Sequence, residues 1–133
     1  MAAAPNGIAP FFLVRDVRRA AEYYRDKLGF QVGPYFREPP VFVIVQRAGM
    51  AIQLGRMDGR RGGSNSDWRD EACDAYLWVA DADALYAEFR ASGATLLDAP
   101  TLKPYGMKEF DARDADGYVL RFGQDVPGSR TEG

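Results

Sequence analysis

Val14-Arg-Asp16 and Val79-Ala-Asp81 begin two segments of the chain that repeat one pattern. Each aspartate is followed by an amphipathic stretch, which ends at Leu28-Gly-Phe30 in the first segment and at Ser92-Gly-Ala94 in the second. Aspartate is a preferred residue at the start of a helix, and glycine commonly ends one in a left-handed turn. The pattern therefore predicts one helix in each half of the chain.

A second correspondence, between Ile52-Gln-Leu-Gly55 and Leu120-Arg-Phe-Gly123, extends the repeat to the strands that follow each helix. Residues that favour β-strands precede both stretches, and short turns are predicted at Ala48-Gly49 and at Asp114-Ala-Asp-Gly117. Each half of the chain is thus predicted to form a strand, a helix and three further strands.

The predicted organisation places both halves in one domain over residues 1–133, since 133 residues is the length of a single compact domain. Module 1 covers residues 8–56 and module 2 covers residues 73–124. A polar, glycine-rich linker over residues 57–72 joins them, with Trp68 as its apolar anchor. The expected fold class is α+β, with two tandem βαβββ modules whose open, cup-shaped mixed sheets carry the helices on their outer faces.

Alternation along the predicted strands separates a helix-covered face from an open face in each module. Phe12 and Val14 are expected to pack on the first helix, and Leu77 on the second. The open faces receive a mixture of aromatic, polar and charged side chains, among them Ala9, Phe11, Leu13, Gln53, Asp74, Tyr76, Trp78 and Arg121. This mixture is too polar for a core and predicts a cup lined in part by aromatic rings.

Composition excludes several kinds of partner. The net charge is −2 with both signs interspersed, which argues against a nucleic-acid-binding surface. The sequence contains no apolar run long enough to span a membrane, and Met1–Pro5 lacks the features of a signal peptide. The single cysteine, Cys73, fits a reducing compartment. We therefore expect a cytoplasmic protein without nucleic-acid or membrane partners.

The chain contains no histidine. Imidazole is the commonest protein ligand for transition metals and the usual general base near neutral pH. Its absence excludes a Cys–His nucleophile. The chain is therefore expected either to bind a ligand or to use another route to catalysis.

Five stretches of the chain resemble the vicinal-oxygen-chelate superfamily, which includes glyoxalase I, extradiol dioxygenases, fosfomycin-resistance enzymes and bleomycin-resistance proteins. They are Ile8–Asp16, Ala21–Phe30, Tyr76–Asp81, Tyr105–Phe110 and Asp114–Phe122. The resemblance covers about residues 8–124 and implies paired βαβββ modules that form an open sheet cup. That fold supports many activities and does not imply a single one.

Enzymes of this superfamily hold a divalent metal with His and Glu side chains on the first and last strands of the modules. The corresponding positions in this chain are Ala9, Gln53, Asp74 and Arg121. Alanine has no donor atom, glutamine is a weak oxygen ligand, and arginine repels a cation. The resemblance therefore implies that the chain has no metal site, no cofactor and no assigned catalytic residue.

The Ala9-Pro10 opening and the stretch Gly106–Phe110 are most similar to the bleomycin-resistance branch, whose members are metal-free dimers that sequester a drug. The resemblance implies a dimeric, metal-independent antibiotic-resistance protein that binds a drug-like aromatic small molecule. The alternative is a glyoxalase- or dioxygenase-like enzyme with a degenerate or shifted metal site, in which Glu109, Asp111 or Asp74 would act as acid or base. A groove without a physiological ligand is the third interpretation.

The predicted ligand-binding residues combine aromatic and polar side chains: Trp78, Tyr76, Asp74, Gln53, Arg121, Phe42, Tyr105 and Met107. Trp78 and Tyr76 are expected to stack on the ligand, and Tyr105 and Met107 to lie on a loop at the rim of the cup. Asp74 and Arg121 are expected on neighbouring strands, either as a pair that recognises the ligand or as a structural ion pair. Phe11 is expected at a module or dimer interface.

Overall fold

Two helices mark the repeated halves of the chain in the computed structural model, which describes residues 3–59 and 63–131. Helix α1, Val17–Leu28, begins where the Asp16 side chain accepts a hydrogen bond from the Arg19 N–H and ends at Gly29, whose φ is 73°. Helix α2, Ala82–Ser92, begins at Asp81 and ends at Gly93, whose φ is 81°. Both predicted helices are confirmed. Neither of these two helices has the length and apolar character needed to cross a membrane.

The strands of module 1 are β1 Phe11–Val14, β2 Gln31–Val32, β3 Phe42–Arg47 and β4 Met50–Arg56. They form a sheet in the order β1-β4-β3-β2, in which β1 runs parallel to β4 and the other pairs are antiparallel. The predicted turn between β3 and β4 has Ala48 and Gly49 at φ values of 48° and 82°, as a tight hairpin requires.

The strands of module 2 are β5 Ala75–Trp78, β6 Thr95–Leu96, β7 Thr101–Leu102, β8 Met107–Arg113 and β9 Val119–Asp125. Their order is β5-β9-β8-β6, and β7 also pairs with β8. As in module 1, the first strand runs parallel to the last, because β5 pairs with β9 in parallel register. The α+β class and the open mixed sheets are confirmed, whereas β7 was not predicted.

The linker between the modules is not held by Trp68, whose side chain is 90% exposed, so the prediction of an apolar anchor there is wrong. A short 3₁₀ turn, Asn65–Asp67, is held instead by hydrogen bonds to the start of module 2. The Ser64 Oγ donates to the Asp74 carboxylate at 2.6 Å, and the Asn65 N–H donates to the same carboxylate at 2.7 Å. Polar contacts thus fix this segment, which explains why hydrophobic pattern alone could not locate its anchor.

Both modules contribute to one hydrophobic core, and each helix contacts the other module as well as its own sheet. The Tyr23 hydroxyl of α1 donates to the Arg113 carbonyl oxygen, and the Arg47 guanidinium of β3 bonds to Glu88 of α2. The Phe12 and Tyr118 rings stack with their centroids 4.4 Å apart. Since the helix-covered faces of both sheets meet in this core, the open faces point away from it.

A buried hydrogen bond also joins the modules. The Tyr24 hydroxyl donates to the Asp114 carboxylate at 2.8 Å, and the backbone N–H groups of Asp116 and Tyr118 donate to the other carboxylate oxygen at 2.9 Å. Burial is the main cause that raises the pKa of Asp114 to about 6. The same burial, together with Asp114, raises the pKa of Tyr24 well above its ordinary value.

We predict that Asp114→Asn removes a pH dependence of stability. The pKa of Asp114 is about 6 in the native state and about 4 in the unfolded chain, so the native state binds the proton more tightly. Its contribution to stability is therefore full below about pH 4 and is lost as the pH rises through about 6, by roughly 3 kcal/mol at most. The side-chain oxygen of asparagine can still accept from the backbone N–H groups of Asp116 and Tyr118, and its amide can donate to the Tyr24 hydroxyl oxygen.

Thermal melts between pH 4 and pH 7 test this prediction. The melting temperature of the wild-type protein should fall relative to that of the asparagine variant as the pH rises. Parallel curves for the two proteins would show that Asp114 does not titrate in this range.

Candidate functional site

The open face of module 1 is mostly apolar. Phe11 and Leu13 project from β1 and are 53% and 42% exposed, so the chain alone does not bury Phe11 as expected. The Phe11 ring lies over Gly55 of β4 and stacks on Phe42 at a centroid distance of 5.9 Å. Gln53 lies beside Phe11 in the strand register and is partly buried.

The open face of module 2 repeats this arrangement with more polar side chains. The Tyr76 ring of β5 lies over Gly123 of β9, as the Phe11 ring lies over Gly55. Tyr76 is in register with Arg121, as Phe11 is in register with Gln53. A Cβ atom at Gly55 would come within 2.5 Å of the Phe11 ring, and one at Gly123 would overlap the Tyr76 hydroxyl.

The two glycines therefore leave room for an aromatic ring of the neighbouring strand, a role that the sequence pattern did not predict. Gly55 and Gly123 occupy equivalent places in the repeat, each two residues after a position of the family metal site. Glycine in a strand interior often marks a close approach of another group. The presence of glycine at this place in both halves of the sequence was the signal that could have predicted an aromatic ring packed over the neighbouring strand.

A buried carboxylate links the aromatic residues of module 2. Glu109 of β8 is only 3% exposed although it belongs to the open face. The Tyr76 and Tyr105 hydroxyls each donate to one of its carboxylate oxygens at 2.6 Å. Burial, followed by the hydrogen bond to Glu109, raises the pKa of Tyr105 to about 12 and raises the pKa of Tyr76 further. The sequence had suggested Glu109 only as an acid or base of the alternative enzyme.

Arg121 and Asp74 do not form an ion pair, so the predicted contact between them is wrong. Arg121 donates from Nε and Nη2 to both carboxylate oxygens of Asp111, at 2.8 and 2.9 Å. Asp74 instead accepts the hydrogen bonds from the linker and one from the Val119 N–H at 2.7 Å. The hydrogen bond to Asp111 is the main cause that raises the pKa of Arg121, with burial acting against it.

Arg121, Tyr105 and Glu109 line a polar cavity of about 290 Å³ on the open face of module 2. Among the described residues of its wall, carboxylates outnumber cations, since Lys103 is the other basic residue there. The acidic residues of the wall are Glu71, Asp98, Glu109 and Asp111. The cavity is therefore suited to a ligand that is neutral or positively charged.

Trp78 lies at a different part of the surface. Its side chain is 73% exposed, and its ring lies 4.9 Å from the Tyr76 ring. Together with Met50, Trp78 lines a groove of about 380 Å³ next to α2, and with Tyr76 it lines a second groove of about 340 Å³ near Ile8. Tyr76 thus lies between Trp78 and the polar cavity that contains Arg121.

The remaining predicted residues are divided between the two faces. Phe42 stacks on Phe11 in module 1, and Met107 is a partly buried residue of β8. Tyr105 is 51% exposed on the turn before β8. The predicted ligand-binding residues therefore fall into two groups. Gln53, Phe42 and Phe11 lie on the mostly apolar open face of module 1, and an aromatic and polar group surrounds Tyr76 in module 2.

The four family positions do not fit a divalent metal. Ala9 has no donor atom, and the Asp74 oxygens already accept three hydrogen bonds. Arg121 brings a positive charge and is paired with Asp111. Residues 3–59 and 63–131 also contain no group of three or more His, Cys, Asp or Glu side chains that could hold a metal ion.

No model of a known protein family matches the sequence, and no curated protein matches it either. The fold, in contrast, is similar to that of many solved structures. TioX from Micromonospora sp. ML1 is 18% identical with a TM-score of 0.72, over 92% of this chain and 100% of TioX. TnmS3, an antibiotic binding protein from Streptomyces sp. CB03234, is 20% identical with a TM-score of 0.72, over 95% of this chain and 100% of TnmS3.

A glyoxalase/bleomycin resistance protein/dioxygenase from Nocardioides is 14% identical with a TM-score of 0.70, over 100% of this chain and 91% of that protein. The chain therefore has the fold of the glyoxalase/bleomycin resistance protein/dioxygenase superfamily. The resemblance found in the sequence is confirmed at the level of the fold.

A double-mutant cycle tests the ion pairing of Arg121. We predict that Arg121→Met and Asp111→Ala are coupled by about 1–3 kcal/mol, because each side chain is largely buried and loses its partner in the single variants. The matched cycle with Asp74→Ala should be additive within about 0.5 kcal/mol, because Asp74 bonds to other groups. Unfolding free energies measured in urea give both couplings. A strong coupling between positions 74 and 121 would contradict the observed pairing.

Proposed function

We propose that this protein binds a drug-like aromatic small molecule on its open sheet faces without a metal ion. The observation that carries the proposal is the ring pair of exposed Trp78 and partly buried Tyr76 beside a polar cavity, where the family metal positions hold unsuitable side chains. An aromatic ring stacked on such a pair gains about 0.5–2 kcal/mol. The similarity of the fold to that of an antibiotic binding protein supports this interpretation.

The polar side chains near the rings would orient the ligand. Arg121 and Asp111 neutralise each other, and Lys103 opposes the remaining carboxylates of the cavity wall. A partly cationic aromatic compound therefore fits the module 2 face better than an anionic one. Gln53 and Phe42 of the module 1 face would contact the same ligand where a module 1 face meets a module 2 face.

A homodimer would bring the two kinds of face together. The open faces of one chain point away from the shared core, and they expose Phe11, Leu13 and Trp78 to solvent. Large exposed apolar patches commonly mark interaction surfaces. We therefore propose that module 1 of one copy meets module 2 of another and that each cup is lined by both chains.

The single cysteine is consistent with the proposed cytoplasmic location.

A fluorescence titration tests the proposed binding. In a Trp68→Phe background, Trp78 is the remaining tryptophan, and binding of an aromatic cationic drug should quench its emission. Addition of EDTA should leave the affinity unchanged, and Trp78→Ala should weaken binding measured by calorimetry about tenfold through loss of stacking. Trp68→Ala is the matched control, because Trp68 is 90% exposed in the linker.

Metal analysis of the purified protein completes the test. Stoichiometric iron, manganese, zinc or nickel, together with loss of binding in EDTA, would contradict the proposal and favour the superfamily enzyme. Equal effects of the two tryptophan substitutions would show that the ligand does not stack on Trp78.

We predict that Leu13→Asp dissociates the dimer, because it places a charge on the apolar face of module 1. Leu102→Asp is the matched control: Leu102 is 50% exposed, but its strand partner Lys108 bonds to Asp83 on the helix-covered side. Sedimentation equilibrium should give two chains for wild type and the control and one chain for Leu13→Asp. A monomeric wild-type protein at micromolar concentration would refute the proposed dimer.

A further inference from the structure

We infer that Glu109 is a specificity-determining residue: it fixes the hydroxyl protons of Tyr76 and Tyr105 so that both phenol oxygens present only acceptors to a ligand. The ligand class that this selects is an aromatic ring that carries an N–H donor, either a ring N–H or a protonated amine. The inference rests on the proposed function in placing the aromatic ring at the Tyr76–Trp78 pair.

The geometry around Glu109 fixes the direction of both protons. Tyr76 donates to Oε2 and Tyr105 donates to Oε1, each at 2.6 Å. A phenol has a single hydroxyl proton, so a phenol that donates to a carboxylate has only lone pairs left for any other partner. Two phenol oxygens that converge on one carboxylate thus form a local surface that accepts hydrogen bonds and does not donate them.

The protons remain on the phenols at neutral pH. Burial and the hydrogen bond to Glu109 raise the pKa of Tyr76 above its ordinary value and raise the pKa of Tyr105 to about 12. Both tyrosines are therefore donors to Glu109 over the physiological range. This agrees with the short distances between the phenol oxygens and the carboxylate oxygens.

Neither hydroxyl can turn toward a ligand without a penalty. Glu109 is 3% exposed, so its two carboxylate oxygens depend on the phenols rather than on bulk water for their hydrogen bonds. A buried carboxylate oxygen without a donor is strongly unfavourable. A ligand that needs a donor from Tyr76 or Tyr105 must therefore break a buried hydrogen bond, whereas a ligand that offers N–H keeps both.

The two phenol oxygens lie between the regions that an aromatic ligand would occupy. Tyr105 is 51% exposed and lines the polar cavity with Glu109. Tyr76 lines the groove that it shares with Trp78. A ring stacked beside Trp78 can thus direct a donor toward the phenols, where Asp98 and Glu71 of the cavity wall add negative charge.

Indole and benzofuran are suitable probes, because they are neutral aromatic molecules of nearly the same shape. Indole offers an N–H donor where benzofuran has only an acceptor oxygen. We expect wild-type protein to prefer indole about tenfold in calorimetry, the value of one net hydrogen bond. In Glu109→Gln the amide N–H can donate to one phenol, whose proton then turns outward, so this preference should disappear.

Asp98→Asn is the matched control, because it removes one negative charge from the same cavity without touching either phenol. It should keep the preference for indole. Equal loss in both variants would overturn the inference, since charge alone would then explain the selectivity.

Tyr105→Phe removes one acceptor at a half-exposed side chain and should reduce indole affinity, which provides a second test if Glu109→Gln does not fold.

The outcomes also separate this inference from the proposed function. If indole and benzofuran bind wild-type protein equally, or if Glu109→Gln keeps the preference, the role of Glu109 is refuted and aromatic binding stands. If neither probe binds, the inference is refuted. The proposed function then depends on the Trp78 titration with larger aromatic drugs.

Discussion

The packing of both modules against one core is the constraint on which the rest of the structure depends. Tyr24 of the first helix is fully buried and bonds to Asp114 of module 2, and Phe12 stacks on Tyr118 across the same boundary. These contacts use the helix-covered face of each sheet. One face of each sheet is consequently left for other partners, and the candidate ligand-binding side chains lie on those faces.

The duplication shapes the site as well as the fold. In each module an aromatic ring of the first strand crosses a glycine of the last strand, Phe11 over Gly55 and Tyr76 over Gly123. The two copies then diverge in chemistry, because Phe11 stacks on another phenylalanine whereas Tyr76 bonds to a buried carboxylate. The two modules thus share one backbone arrangement, but the open face of module 1 is apolar and that of module 2 is polar.

Local sequence signals predicted the elements well and the contacts between them less well. The Asp16 and Asp81 caps and the alternation around Leu77 identified the helices and the two faces, since these depend on residues close in sequence. The pairing of Arg121 with Asp111 depends on the register of β8 with β9, and residues close in sequence do not predict that register. Asp74 was misassigned because two of its three hydrogen-bond donors, Ser64 and Asn65, lie in a linker without periodicity.

A crystal structure of the protein with a bound aromatic amine, with anomalous data collected at transition-metal absorption edges, tests the central claim most directly. The account predicts an organic ligand in contact with Trp78 and Tyr76 and no anomalous peak near Gln53, Asp74 or Arg121. A divalent ion held there by three or more groups of the protein would contradict it.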